Sequence, residues 1–320
     1  MSALLECVPN FSEGRDRAVL DDIAAAIASA PNARVLEIDA DPYANRAVIT
    51  CFAPPEAIVE AAARGVAQAV TTLDMRQHHG VHPRLGAADV LPFVPWQGVT
   101  MQDAVLAARA LGERVGALGV PGWFYGAAAT AAHRRLLHEV RRGEWEGLAE
   151  KLLREPPDFG PNTPHPTAGG AAIGARDVLI AFNLCLSTQD VRVARRLARS
   201  LRELAGGLPA VRAIGWWHEG YGCAQVSTNL VDWRVTPPHV VVERLKVLAA
   251  ALGVEVTGAE LIGLLPLGAL QAAADFYAPD APDAPARLHA AVGGLGLDQI
   301  RPFHPRAKVI QWALGGLEPL

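Results

Sequence analysis

The residues with the clearest chemical potential lie together in residues 76–95, which contain three histidines, two arginines and one aspartate. His82 stands between Gly80 and Pro83, so we predict a shaped loop here and not a regular helix. The apolar run Val90–Pro95 follows and predicts a short strand. An imidazole, with an ordinary pKa of about 6.5, can accept and donate protons at neutral pH, and a loop anchored on a strand can hold it. The stretch therefore predicts proton-transfer chemistry centred on His82.

Two other interpretations of this loop stay open on the residues alone. His82 fits equally well as a structural histidine that is hydrogen-bonded to backbone. A metal site would use His78, His79 and His82, but zinc motifs place their histidines on a helix beside a carboxylate. This loop offers neither a helix nor an adjacent acid, so we expect no metal.

Acidic and basic side chains near a predicted hairpin are further candidates. Residues 37–41 (EIDAD) end one strand, and Asn45 and Arg46 begin its partner. An acid at a strand end can orient an imidazole or bind a substrate amine, whereas Asp41 and Asn45 also fit the closing of a turn. Arg46 and Arg84 suit bidentate binding of carboxylates, although both fit as ordinary surface arginines too.

The composition bounds the class of protein. The 320 residues, 51% apolar and 19% charged, predict a globular chain of about two domains. A net charge of −4 predicts no general attraction to nucleic acid or anionic membranes, and no apolar run is long enough to span a bilayer. The N-terminus lacks the pattern of a signal peptide, so we expect a cytoplasmic protein whose four scattered cysteines are buried apolar residues. Phosphate-binding glycine motifs and a serine elbow are absent, which argues against nucleotide binding and serine hydrolysis.

The order of predicted elements is β-α-β-β-α-β in each half of the chain, which is typical of the split-βαβ, ferredoxin-like unit. We therefore predict an α+β fold with two such subdomains and a cleft between them. Residues 155–170 contain five prolines and three glycines and predict a linker or functional loop. The predicted strands are 4–8, 33–39, 46–52, 90–95, 122–125, 177–186, 210–217, 223–233 and 254–265, and the predicted helices are 15–29, 54–73, 101–118, 131–154, 188–204 and 237–252.

Short blocks spread over nearly the whole chain resemble the glutamate formimidoyltransferase family, the folate-dependent enzymes of histidine degradation. Together these blocks are far more specific than any single motif. They are ECVPNFSEG (6–14), NR (45–46), HGVHPRLGAADV (79–90), PF (92–93), PDFGP (157–161), GAR (174–176), LIAFN (179–183) and AQVSTNL (224–230).

The resemblance implies transfer of a formimidoyl group between N-formimidoyl-L-glutamate and tetrahydrofolate, with His82 as general acid/base and no metal or redox cofactor. It implies two ferredoxin-like subdomains, residues 1–176 and 177–320, with the folate in the cleft between them. Asp39 would orient His82 or hold the amidinium group of the substrate. The implied substrate-binding residues are Asn10, Asn45, Arg46, His79 and Arg84, together with the folate-contacting loop Pro161, Asn162, Thr163, Pro164, His165, Pro166, Thr167, Ala168, Gly169 and Gly170.

Some features depart from the family pattern or leave alternatives open. The loop 161–170 differs from the Ser- and Trp-bearing loop of animal members, and the resemblance is to a stand-alone transferase without their cyclodeaminase domain. The expected partners are small-molecule substrates, including polyglutamylated tetrahydrofolate, with no nucleic acid or membrane; a homodimer is left open. The alternatives are a formyltransferase that uses N-formylglutamate and a folate-binding protein without catalysis.

Overall fold

The described residues, 3–316 and 320, form two units in this computed structural model, Met1–Asp177 and Val178–Leu320. Met1 and Ser2, which begin the segment searched for a signal peptide, and residues 317–319 lie outside the described part of the chain. Each unit has its own sheet and its own helices, which confirms the predicted mixture of α and β structure. Within the described residues, no helix is long and apolar enough to cross a membrane.

The sheet of the first unit is antiparallel on one side and parallel on the other. Its strands, among the described residues, are β1 Leu4–Cys7, β2 Asn10–Phe11, β3 Arg34–Asp41, β4 Arg46–Ala53, β5 Ala88–Gln97, β6 Gly122–Gly126 and β7 Ala171–Ala175. Across the sheet the order is β3, β4, then β1 and β2 in succession, then β5, β7 and β6. The strand pairs among β1 to β5 are antiparallel, whereas β7 is parallel to both β5 and β6. The sequence does not predict β7, because AAIGA has only one large apolar residue.

The described part of the first unit has five α-helices, two of which begin at side-chain caps. They are α1 Arg17–Ala28, α2 Pro55–Thr72, α3 Met101–Ala117, α4 Leu137–Val140 and α5 Leu148–Arg154. The Asp16 carboxylate accepts two backbone amides at the start of α1, and Thr100 and Asp103 cap α3 reciprocally. The prediction of a continuous helix over 131–154 is wrong. Turns separate α4 from α5, and Gly143 there has a φ of +91°.

The two faces of the first sheet carry different side chains, and this difference positions the site. One face packs Phe11, Ile49 and Phe93, all fully buried, against α1, α2 and α3. Because side chains alternate along β4, Arg46 lies on the opposite face from Ile49. Burying one large apolar side chain contributes about 1.5–3 kcal/mol. A one-residue shift in the pairing register of β4 would bring Arg46 into this core and is therefore strongly disfavoured.

The second unit repeats the connection β-α-β-β-α-β. Its strands are β8 Ile180–Leu186, β9 Val211–His218, β10 Cys223–Leu230 and β11 Val256–Ile262, and its helices, among the described residues, are α6 Val191–Leu201, α7 Pro238–Ala250, α8 Leu267–Tyr277, α9 Ala284–Leu295, α10 Pro305–Lys308 and α11 Ile310–Ala313. All strand pairs are antiparallel in the order β11-β8-β10-β9. One face buries Phe182, Leu184 and Val226 in the core of this unit.

Candidate active site

The loop between α2 and β5 carries His82, and it is irregular throughout, as predicted. Two of its glycines pass close to neighbouring backbone. A Cβ atom on Gly80 would lie 2.3 Å from the carbonyl oxygen of Ala44, and one on Gly86 would lie 2.1 Å from that of Ala168. Any larger residue would force the backbone apart at these two points, so the glycines fix the path of the loop.

His82 is held in one orientation by its own neighbour. Its Nδ1 atom lies 2.8 Å from the Pro83 carbonyl oxygen, and because a carbonyl only accepts, Nδ1 carries the proton. Nε2 is then the unprotonated nitrogen. Burial, followed by the positive charges of Arg46 and Arg141, lowers the pKa of His82 well below 6.5, against an opposing effect of Asp89. At neutral pH His82 is therefore an uncharged base with its lone pair on Nε2.

A buried carboxylate on β5 organises the charges around His82. Asp89 is fully buried and accepts hydrogen bonds from Arg46 Nη1 at 2.6 Å, Arg141 Nη2 at 2.5 Å and the Leu85 amide at 2.8 Å. Burial alone would raise the pKa of Asp89, but Arg141, Arg46 and the amide outweigh it and lower the pKa to about 2. Burial also lowers the pKa of Arg46 to about 10, against the attraction of Asp89. The Asp89 cluster (Arg46, Asp89 and Arg141) thus keeps one net positive charge near His82.

The predicted residues Asn10 and Arg46 contact each other, whereas Asn45 supports the loop. Arg46 Nη2 donates to Asn10 Oδ1 at 2.8 Å, which joins Asn10 to the Asp89 cluster. The Asn45 side chain donates to the His79 carbonyl at 3.1 Å, and its φ of +49° suits a turn. The His79 side chain is exposed, while His78 is buried and donates from Nε2 to the Asn45 carbonyl at 2.8 Å.

Arg84, the second predicted carboxylate ligand, is engaged by acids of the chain itself. Its Nη2 and Nη1 atoms donate to the two carboxylate oxygens of Glu146 at 2.7 and 3.0 Å, and Nη1 also lies 3.3 Å from Glu144. Only 10% of the Arg84 side chain is exposed, against 65% for Glu146. A nearly buried arginine fork that holds an exposed carboxylate is an arrangement in which another carboxylate can take its place.

The predicted folate loop, residues 161–170, is joined by backbone hydrogen bonds to the loop that carries His82. Residues 161–163 are exposed, whereas residues 168–170 are buried. Within the loop, His165 and Gly169 pair reciprocally at 3.0 and 3.1 Å. The bonds between the two loops run from Ala87 N to Ala168 O at 2.9 Å, from Gly170 N to Leu85 O at 3.2 Å and from Met75 N to Thr167 O at 2.8 Å.

Asp39 and Asp41 lie on the same strand and have different surroundings. Asp41 closes the hairpin turn, as expected, because its Oδ1 atom accepts two turn amides at 2.8 and 3.1 Å. Asp39 is buried on β3 opposite Val48, on the same face of the sheet as Arg46. Its role toward His82 stays a prediction.

Sequence reasoning gave no role to Asp89 and missed Arg141 and Glu146. Asp89 carries a weak signal, since it is the only acid in residues 76–95. Arg141 and Glu146 come from a segment dense in charges, where nothing in the sequence separates them from their neighbours. In the described part of the chain, no group of three or more His, Cys, Asp or Glu side chains could hold a metal ion.

Comparisons with known proteins agree with the resemblance read from the sequence. Models of the formiminotransferase domain match the chain, the N-terminal subdomain over residues 4–176 and a second model over residues 181–315. The chain is 44% identical over 326 aligned residues to formimidoyltransferase-cyclodeaminase of Rattus norvegicus; the match covers 98% of the chain but spans only 60% of that relative. It is 41% identical over 280 residues to glutamate formimidoyltransferases of Streptococcus pyogenes serotype M1, covering 87% of the chain and 94% of the relative, and of Thermoplasma acidophilum, covering 86% and 92%.

Proposed function

The chain belongs to the formiminotransferase family, and from this we propose that it transfers a formimidoyl group between N-formimidoyl-L-glutamate and tetrahydrofolate, its co-substrate. The match to nearly the full length of two relatives named glutamate formimidoyltransferase supports the proposal. The observation that carries the proposal is the state of His82. Its Nδ1–H donates a hydrogen bond to the Pro83 carbonyl, which leaves Nε2 unprotonated and able to act as a base.

In the proposed reaction, His82 moves one proton between two nitrogens. N5 of tetrahydrofolate attacks the amidine carbon, a C–N bond forms, and Nε2 of His82 takes the proton from N5. The imidazolium then gives this proton to the glutamate nitrogen, whose bond to the same carbon breaks. The products are 5-formimidoyltetrahydrofolate and L-glutamate, and general acid–base catalysis of this kind contributes about 10²–10⁴-fold.

We assign recognition of the anionic substrates to the arginines of this face. Both substrates carry carboxylates, and the net charge of −4 means that local cations must attract them. Arg46, which pairs with Asp89 and donates to Asn10, would supply positive charge to attract a substrate carboxylate. Arg84 would exchange Glu146 for a substrate carboxylate. His79, Asn45 and the loop 161–170 are proposed to border the substrates, and Asp39 to orient His82 or hold the amidinium group.

We also propose that each unit is a ferredoxin-like, split-βαβ subdomain, with residues 1–176 and 177–320 as their bounds. Strand order supports this assignment. We number the four strands of each β-α-β-β-α-β run in chain order and count β1 and β2 as one strand. Both sheets then follow 4-1-3-2 with antiparallel neighbours, and the first sheet is extended by β7 and β6. The folate site between the subdomains, binding of polyglutamylated folate and a homodimer stay predictions.

Steady-state assays with two donors test the proposed function. Purified chain is incubated with tetrahydrofolate and either N-formimidoyl-L-glutamate or N-formylglutamate, and both L-glutamate and the folate product are identified by mass. We expect a higher kcat/KM with the formimidoyl donor. Faster turnover of N-formylglutamate would make the protein a formyltransferase. Binding of tetrahydrofolate without turnover of either donor would make it a folate-binding protein.

A further inference from the structure

The sheet of the second unit carries a connected polar array on the face opposite to its apolar core. Register places Gln225 on β10 directly between Cys185 on β8 and Trp216 on β9. Cys223, two residues before Gln225, shares its face and lies opposite His218. The proposed transfer reaction uses none of these side chains.

Two side-chain hydrogen bonds of this array lead from Trp216 to Cys185. Trp216 Nε1 donates to Gln225 Oε1 at 2.9 Å, and Gln225 Nε2 donates to Cys185 Sγ at 3.1 Å. Cys185 and Cys223 are in turn hydrogen-bond partners of each other. The Gln225 amide therefore fixes the Cys185 side chain, and the two cysteines lie at the end of the array.

The electrostatic surroundings of Cys223 favour its thiolate. The thiol of Cys185, followed by the Leu186 amide and His218, lowers the pKa of Cys223, against the opposing effects of burial and Glu260. The same hydrogen bond raises the pKa of Cys185. The lowered pKa of Cys223 and the raised pKa of Cys185 favour a thiolate on Cys223 and a thiol on Cys185. Cys185 is buried, whereas Cys223 is partly exposed to solvent.

The first sheet provides an internal control. Cys7 on β1 and Cys51 on β4 face each other directly, and both are fully buried. The Cys51 thiol donates to the Cys7 carbonyl at 3.4 Å, and burial raises the pKa of Cys7. Because both thiols lack access to solvent and the pKa of Cys7 is raised, we expect this pair to be inert.

We propose that Cys223 and Cys185 form a modification site, in which peroxide oxidises Cys223 and Cys185 then closes a disulfide. The Cys223 thiolate attacks one peroxide oxygen, the O–O bond breaks, and hydroxide leaves a sulfenic acid behind. Cys185 attacks that sulfur; the S–S bond forms, the S–O bond breaks and water leaves with the Cys185 proton. The thiolate and the thiol together lose two electrons, and one peroxide becomes one hydroxide and one water.

The position of Cys223 makes closure feasible. An S–S bond needs a sulfur separation of about 2.05 Å, so the two sulfurs must come closer than hydrogen-bonding distance. Cys223 is the first residue of β10 and follows Gly222, which has a φ of +60° and nothing within 4 Å of an added Cβ. The strand begins there after a tight turn, where small shifts cost least.

The test treats the folded full chain with hydrogen peroxide at pH 7 and maps cysteines by peptide mass. We expect a Cys185–Cys223 disulfide, reversed by dithiothreitol, while Cys7 and Cys51 stay reduced. In Cys185→Ser, a dione reagent should instead trap a sulfenic acid on Cys223; in Cys223→Ser, neither product should form. Before oxidation, iodoacetamide should alkylate Cys223 at least about tenfold faster than Cys51, and this preference should vanish in urea.

Two outcomes would overturn the proposal: no Cys185–Cys223 disulfide, or oxidation of Cys7 and Cys51 at a rate equal to that of Cys223. If either serine variant fails to fold, the wild-type peptide map decides alone. These readouts follow sulfur and not turnover, so failure of the proposed transfer function leaves the test unaffected.

Discussion

Replacing Asp89 by asparagine should destabilise the protein strongly, because the change leaves Arg46 and Arg141 without their buried counter-ion. The pKa of about 2 for Asp89, against an ordinary 3.8, corresponds to roughly 2.5 kcal/mol in favour of the folded carboxylate. Breaking a buried charge pair by removing one partner typically costs about 3–5 kcal/mol. At pH 7 we therefore expect Asp89→Asn to lose roughly 2.5–5 kcal/mol of unfolding free energy.

The same shift in pKa predicts how this loss depends on pH. Because the pKa is depressed in the folded state, the stabilisation is complete above the unfolded value of 3.8 and is lost as pH falls through about 2. By pH 3 about half of it should be gone, so the gap between wild type and Asp89→Asn should narrow by roughly 1 kcal/mol. Groups far from Asp89 titrate alike in both proteins and cancel in the difference, and a His82→Ala background removes the nearby imidazole whose pKa Asp89 raises.

Urea unfolding at pH 7 and pH 3, followed by circular dichroism, measures both quantities. Asp74→Asn is the matched control, since Asp74 pairs with Arg76 at an exposed site and should change stability little. Two results would contradict this account of the Asp89 cluster. One is an unfolding free energy of Asp89→Asn within about 1 kcal/mol of wild type at pH 7, and the other is a difference in unfolding free energy that does not narrow at pH 3.

Other predictions concern the kinetics. Glu146→Gln should lower the KM for a carboxylate-bearing substrate with little change in kcat, because the acid that competes for Arg84 is neutralised; a raised KM would show that the pair is structural. Arg84→Ala should raise that KM, and Arg84→Lys should restore it only in part. The acid limb of kcat/KM should lie below pH 6.5, because His82 is active when uncharged and its pKa is lowered. In Arg46→Ala this limb should move to higher pH, since a positive charge that lowers the pKa of His82 is removed; an unmoved limb would assign it to another group.

The sequence predicts those parts of the fold that follow from local periodicity. The strand 46–52 and the helices 15–29 and 101–118 are readable one element at a time. The structure has them as β4 Arg46–Ala53, α1 Arg17–Ala28 and α3 Met101–Ala117. Residues 171–175 were missed because a fully buried parallel strand of small residues has no alternation to read. The segment 131–154 was predicted as one helix because its charges and leucines fit a helical period, but its two glycines and the contacts of Trp145 end the helix.

The candidate site was only partly predictable, for a related reason. The residues around His82 are consecutive, so type and spacing reveal the loop. Arg141 reaches Asp89 from 52 positions away in the sequence, and this pairing exists only once the sheet and the segment with α4 and α5 have folded. Likewise, Arg84 looked free for substrate because its partner Glu146 is distant in sequence.

The central claim, that His82 transfers the proton, is tested most directly by the single-turnover rate of His82→Ala with saturating tetrahydrofolate and N-formimidoyl-L-glutamate. Circular dichroism and tetrahydrofolate titration on the same sample show whether fold and binding are intact. The account predicts that both are retained while the rate falls by about 10²–10⁴-fold, the usual size of general acid–base catalysis. A variant that binds folate normally and keeps more than about a tenth of the wild-type rate would contradict the claim.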